Sequence, residues 1–78
     1  MLTRTPHYLF FVKKLTAARL SSGITQFQIA KALGKHQSFV SKYENGERRL
    51  DIAEFIEVSR IIGLNPTDII KEFFDEFK

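Results

Sequence analysis

The chain has 78 residues, of which 44% are hydrophobic and 27% are charged, and it contains neither cysteine nor tryptophan. This length predicts one small domain over residues 1–78, and the lack of cysteine excludes disulfides and thiolate metal sites. No segment has the length of a membrane span or the pattern of a secretory signal, so we expect a cytoplasmic protein with no membrane partner.

The composition also argues against an enzyme. Only two histidines, His7 and His36, are present, and no carboxylate precedes Glu44. A metal site or an acid–base pair needs several such groups close together. We therefore expect a non-enzymatic protein with no metal, no cofactor and no small-molecule ligand.

Charge is distributed unevenly along the chain. Residues 1–50 carry nine Lys or Arg against two acids, a net +7, whereas residues 51–78 carry three against seven, a net −4. Their sum is the overall +3. Such asymmetry is typical of a chain that meets a polyanion with one face, although a solvated basic surface would show the same balance.

Helical patterns follow one another along the whole sequence. Thr5-Pro6 predicts the start of a first helix that runs to about Ser22, before Gly23. Thr25 and Gln28 form a capping-box pattern that starts a second helix, which Gly34 stops.

Three further helices follow the same rules. The third is predicted from about Gln37 to Glu44, ahead of Asn45-Gly46. Asp51 opens the fourth, which ends at Gly63, and Asn65 opens the fifth. No segment alternates as a strand does, so the prediction is an all-α domain of five helices.

The stretch from about residue 25 to 45 has the features of a helix-turn-helix. Ala30 is small enough for two helices to approach closely, and Gly34 suits the turn between them. The outward face of the third helix is then polar or basic, and it comprises Gln37, Ser38, Ser41 and Lys42. Such side chains can pair with base edges or phosphates when a helix lies in the major groove, so all four are candidate base contacts, and Lys42 could instead reach the DNA backbone.

The motifs Gly23-Ile-Thr-Gln26, Ile29-Ala30, Leu33-Gly34 and Gln37 to Gly46 resemble those of the phage-repressor (XRE, Cro-type) helix-turn-helix family. The similarity covers roughly residues 8–72. It implies a five-helix, lambda-repressor-like domain that binds double-stranded DNA. It also implies a homodimer on a two-fold operator and repression of transcription.

The resemblance also assigns roles to single residues. It implies that Gln26 bonds a phosphate and braces Gln37, and that the loop after the third helix touches phosphates. The full set of expected phosphate contacts is Gln26, Lys35, His36, Asn45, Arg48 and Arg49. Lys35 departs from the apolar residue usual there, and His36 occupies a capping position where Ser or Thr is common.

Two side chains near the third helix call for partners. Glu44 lies in the last helical turn, where the dipole disfavours an acid, and the resemblance pairs it with Arg19. A buried Arg19–Glu44 pair is expected, and a loose surface pair is the alternative. Phe39 falls near the outward face, where it either covers the turn or touches a thymine methyl group.

The last helix carries more apolar residues than one buried seam requires. Together with Phe10 of the first helix, Phe73, Phe74 and Phe77 either complete the core or form a homodimer interface.

A second function also stays open, namely a protein-interaction module such as an antitoxin-like subunit. Such a module would show apolar anchors along the outer face of the third helix, where Phe39 is the sole candidate.

Overall fold

The computed structural model describes residues 5–78 and contains five helices. They are α1 (Pro6–Ser21), α2 (Gln26–Leu33), α3 (Gln37–Glu44), α4 (Ile52–Ile62) and α5 (Pro66–Glu76). The all-α prediction is confirmed, and the helices lie where the sequence predicts them. Arg4, which the charge count includes, and the first three residues of the predicted domain lie outside the described residues.

Side-chain caps explain where the helices begin. The Thr25 hydroxyl accepts the Gln28 backbone N–H at 3.0 Å, and the Gln28 side chain accepts the Thr25 N–H at 2.8 Å. Asp51 and Glu54 form the same reciprocal box at the start of α4. Each box pairs backbone donors that no helix carbonyl can reach, so it fixes the start of its helix locally.

The turn between α2 and α3 depends on glycine. Gly34 has φ +70° and ψ +30°, in the left-handed region that costs other residues energy. There its N–H bonds the carbonyl of Lys31, and the next N–H, from Lys35, bonds that of Ala30 at 2.9 Å. These bonds close α2 and direct the chain into α3 after two more residues.

The core lies where α1 packs against α3, α4 and α5, and where α2 packs against α3 and α4. Its buried hydrophobic side chains are Val12, Leu15, Ile29, Ala30, Val40, Tyr43, Phe55, Val58, Ile62 and Ile69. Buried Ser59 satisfies its hydroxyl by donating to the Phe55 carbonyl at 2.7 Å. Because α2 and α3 both contribute to this core, their relative orientation is fixed by packing.

Candidate nucleic-acid interface

The outer face of α3 is formed by two adjacent rows of side chains. Gln37 and Ser41 are four residues apart, as are Ser38 and Lys42, so each pair lies along the helix axis. Gln37, Ser38 and Lys42 are exposed, and Ser41 is half-buried. The four side chains predicted to contact bases therefore share one surface, which offers amide, hydroxyl and ammonium groups.

His36 caps α3 in place of the usual Ser or Thr. Its Nδ1 accepts the backbone N–H of Ser38 at 3.2 Å and lies 3.1 Å from the Ser38 hydroxyl. The capping function is thus retained by a ring nitrogen. Both residues are exposed at the end of the helix where the predicted base contacts begin.

Arg19 and Glu44 form a bidentate ion pair between α1 and α3. Arg19 Nε donates to Glu44 Oε2 at 2.7 Å, and Nη2 donates to Oε1 at 3.1 Å. The side chains are only 11% and 7% exposed, respectively. Arg19 Nη1 also donates to the Ile24 carbonyl at 3.0 Å, so the same guanidinium holds the segment that enters α2.

Gln26 has a different partner from the one expected. Its Nε2 donates to Glu44 Oε1 at 2.9 Å, whereas the resemblance has it brace Gln37. Gln26 and Gln37 nevertheless line the same surface hollow. The bond to Glu44 fixes the orientation of the Gln26 amide and uses only one of the two N–H donors of its NH2 group.

The loop between α3 and α4 carries two arginines with different surroundings. Arg48 bonds both oxygens of Glu54, at 3.0 and 3.1 Å, and its guanidinium lies 4.6 Å from the centre of the Phe39 ring. The bond from Arg48 holds the pKa of Glu54 below its ordinary value, and Glu54 raises that of Arg48. Arg49 is exposed and lies 5.2 Å from the Tyr8 ring.

The ring of Phe39 packs towards the core and lies close to Lys35, a residue of the turn between α2 and α3. This half-buried ring meets Tyr43 edge-on at 5.8 Å. Lys35, itself exposed, places its ammonium 5.4 Å from the same ring. Of the two alternatives for Phe39, the contacts favour the one in which it covers the turn.

Comparison with known proteins also identifies this arrangement of helices as a helix-turn-helix. Residues 15–69, more than half of the chain, match a helix-turn-helix family. A solved structure described as an XRE-family like protein from Pseudomonas syringae pv. tomato str. DC3000 is 42% identical in sequence. The two structures agree with a TM-score of 0.87 over 92% of this chain and 88% of that chain. No curated protein matches the sequence.

The chain belongs to the XRE-type helix-turn-helix family. This XRE-type protein is therefore a DNA-binding regulator of the helix-turn-helix class.

Sequence reasoning missed one residue that shapes the interface. The Tyr8 hydroxyl donates to the Arg48 carbonyl at 3.0 Å and accepts the Leu50 N–H at 3.1 Å. It thereby attaches the loop of the XRE-type protein to α1. The sequence pattern assigns no long-range contact to Tyr8, and nothing near it in the sequence indicates the loop.

The aromatic residues proposed for dimerisation separate into two groups. Phe10, Phe73 and Phe77 are half-buried and lie 4.9–5.8 Å from one another, between α1 and α5. Phe74 is 67% exposed, and so is Ile52 at the start of α4. Three of the four residues thus pack within this domain, and Phe74 remains on the surface.

Two further observations concern the described part of the XRE-type protein. Within residues 5–78, no three His, Asp or Glu side chains are grouped so that they could hold a metal ion. Across the same residues, none of the helices combines the length and hydropathy needed to cross a bilayer.

Proposed function

We propose that this protein is a sequence-specific repressor that binds double-stranded DNA in the cytoplasm and reads the major groove with α3. The observation that supports this most directly is the exposed polar face of α3, held by buried contacts on its inner side. Val40 and Tyr43 are fully buried behind that face, and Arg19 clamps Glu44 at its end. A helix fixed in this way presents its outer side chains to DNA in one geometry.

The chemistry of the outer face suits base edges. The Gln37 amide can form two hydrogen bonds with one base, such as adenine, and Lys42 can donate to acceptors on guanine or to a phosphate. Ser38 and Ser41 add hydroxyls between them. Within α3 the one large apolar candidate, Phe39, packs inward, so this surface has no row of anchors for a protein partner.

Phosphate contacts are proposed around this face. Lys35, His36 and Asn45 are exposed at the two ends of α3, and Arg49 is exposed in the following loop. Gln26 retains an N–H for a phosphate beside its bond to Glu44. Arg48 shares its charge with Glu54, so we expect its phosphate contact to be weakened by that ion pair.

We also propose that two copies bind a two-fold operator. Between α1, α5 and the start of α4 lies a hollow of about 380 Å³, lined almost wholly by apolar side chains, with Ile52 and Phe74 exposed beside it. Among the described helices α5 packs on α1 and α4 and not on α2 or α3. A second copy docked on this face therefore leaves α3 available for DNA. Two successive major grooves on one side of the DNA would require a spacing of about 34 Å between the two α3 helices.

The dimer is tested by sedimentation of the purified protein at micromolar concentration, with and without operator DNA. Phe74→Glu is expected to shift the protein to monomer, because it places a charge in the apolar contact. Phe27→Glu is the matched control for the measurement without DNA, since Phe27 is 59% exposed on α2 and lies outside the proposed dimer contact. A wild-type protein that stays monomeric in both conditions would contradict the dimer.

DNA reading is tested by selecting bound duplexes from a random pool at two salt concentrations. We expect one two-fold sequence to be enriched at both, with lower affinity at the higher salt because phosphate contacts release counterions. A pool that shows no enrichment above non-specific binding would contradict sequence-specific recognition. Repression follows if transcription from a promoter carrying the selected site falls when the protein is present.

A further inference from the structure

The contact between His36 and Ser38 determines how the Ser38 hydroxyl can meet a base. The backbone N–H of Ser38 points at His36 Nδ1, 3.2 Å away. A backbone N–H is always a donor, so Nδ1 must carry a lone pair and the ring hydrogen must sit on Nε2. His36 therefore has one defined tautomer in this arrangement.

The position of the hydroxyl hydrogen follows from that tautomer. Ser38 Oγ lies 3.1 Å from the same Nδ1, which has no hydrogen to give. Two acceptor atoms at that distance would repel each other unless the hydroxyl hydrogen lay between them. The Ser38 hydroxyl thus donates to His36 Nδ1, whose one lone pair it shares with the Ser38 N–H, and both lone pairs of the exposed Ser38 oxygen can still accept hydrogen bonds.

We propose that Ser38 reads DNA only as a hydrogen-bond acceptor, with His36 as the residue that imposes this polarity. This inference rests on the proposed function, in which the outer face of α3 enters the major groove. The groups that donate there are the exocyclic amino groups of adenine N6 and cytosine N4. Ser38 consequently selects one of these amino groups and gains nothing from guanine O6, thymine O4 or a purine N7.

The first step of the test finds the base pair that Ser38 contacts. Duplexes are selected from a random pool with the wild type and with Ser38→Ala. The position at which only the variant loses its preference is the one read by Ser38. Single functional groups are then removed from a synthetic operator at that base pair.

The second step separates donor from acceptor reading. Purine in place of adenine, or 2-pyrimidinone in place of cytosine, removes the amino group. We expect either change to weaken wild-type binding about three- to tenfold and to leave Ser38→Ala binding unchanged. Replacing a purine by its 7-deaza analogue removes the N7 acceptor and is expected to leave the contact of Ser38 unaffected.

A variant of His36 tests the source of the polarity. His36→Gly frees the Ser38 hydroxyl, and glycine is a tolerated N-cap residue, so α3 is expected to stay folded. A free hydroxyl can donate as well as accept, so it can turn to an acceptor such as N7 when the amino group is missing. The loss of affinity caused by removing the amino group should therefore become smaller in His36→Gly than in the wild type, and approach the absence of any loss in Ser38→Ala. Circular dichroism of the variant checks that its helices are intact.

The possible failures can be told apart. A wild-type pool without enrichment would overturn the proposed function, and the inference with it. Enrichment accompanied by no change in Ser38→Ala, by sensitivity to the N7 acceptor alone, or by an unaltered penalty in His36→Gly would overturn only the inference.

Discussion

Arg19→Ala removes the cation that compensates Glu44, and the structure allows its cost to be worked out. The two side chains are 11% and 7% exposed, so water screens the pair only weakly. Removing one member of a buried pair costs about 3–5 kcal/mol, because the other charge is left desolvated. Gln26 continues to donate to the carboxylate at 2.9 Å, so we expect the lower end, about 3 kcal/mol.

Urea unfolding followed by far-ultraviolet circular dichroism measures this loss directly. Thermal unfolding gives a second measure of the same loss. For a domain of this size each kcal/mol shifts the thermal midpoint by about 4–8 °C, so a fall of roughly 12–24 °C in that midpoint is expected. Lys14→Ala is the matched control, since Lys14 pairs with Glu72 at 2.7 Å but both side chains are about half exposed. That exposed pair should contribute about 1 kcal/mol or less.

A second substitution isolates the charge from the other contacts of Arg19. Combining Arg19→Ala with Glu44→Gln removes the isolated carboxylate, so the double variant should be more stable than Arg19→Ala alone. If Arg19→Ala stays within about 0.5 kcal/mol of the wild type, the pair is no stronger than a surface contact and the reasoning is refuted.

Three further predictions concern residues behind the interface. Tyr43→Phe should leave the free energy of unfolding within about 0.5 kcal/mol of the wild type, because the buried hydroxyl has no partner in the described chain; a larger loss in urea unfolding would reveal one. Tyr8→Phe should cost about 1–2 kcal/mol and speed hydrogen exchange at the Leu50 amide, since two backbone groups lose their partner; unchanged protection would count against the loop attachment. The folded-state pKa of Glu54 lies below its ordinary value of 4.5, so the stabilisation of the fold by the Arg48–Glu54 pair is complete above pH 4.5 and is lost as the pH falls through the lowered pKa. Glu54→Gln, whose amide can keep the cap of α4, should therefore lose less stability on acidification in a pH series of urea melts.

The helix positions could be predicted because their signals are local. Thr25 and Gln28 are three residues apart, and their reciprocal bonds need nothing from the rest of the fold. Gly34 likewise marks the turn because its backbone conformation disfavours other residues. Even His36 keeps the capping geometry, although a histidine is a weaker signal for a cap than Ser or Thr.

Contacts between distant segments could be predicted only in part. The need of Glu44 for a cation follows from its place at the end of a helix, but the choice of Arg19 as that cation depends on the resemblance to the XRE-type family. The bond from Tyr8 to the loop spans 40 residues, and no local pattern indicates it. Equally, a stripe of aromatic residues does not show that Phe73 faces inward and Phe74 outward, because that depends on how α5 meets α1.

The most direct test of the account is the base preference of Gln37→Ala compared with that of Arg49→Ala. Selection from a random pool of duplexes gives the preference of each variant at every position. We expect Gln37→Ala to lose about 1–3 kcal/mol of discrimination at one base pair of each half-site and to keep the rest. Arg49→Ala should weaken binding to all sequences alike and leave the preferences unchanged. Identical base preferences in Gln37→Ala and the wild type would contradict the claim that α3 reads the DNA sequence.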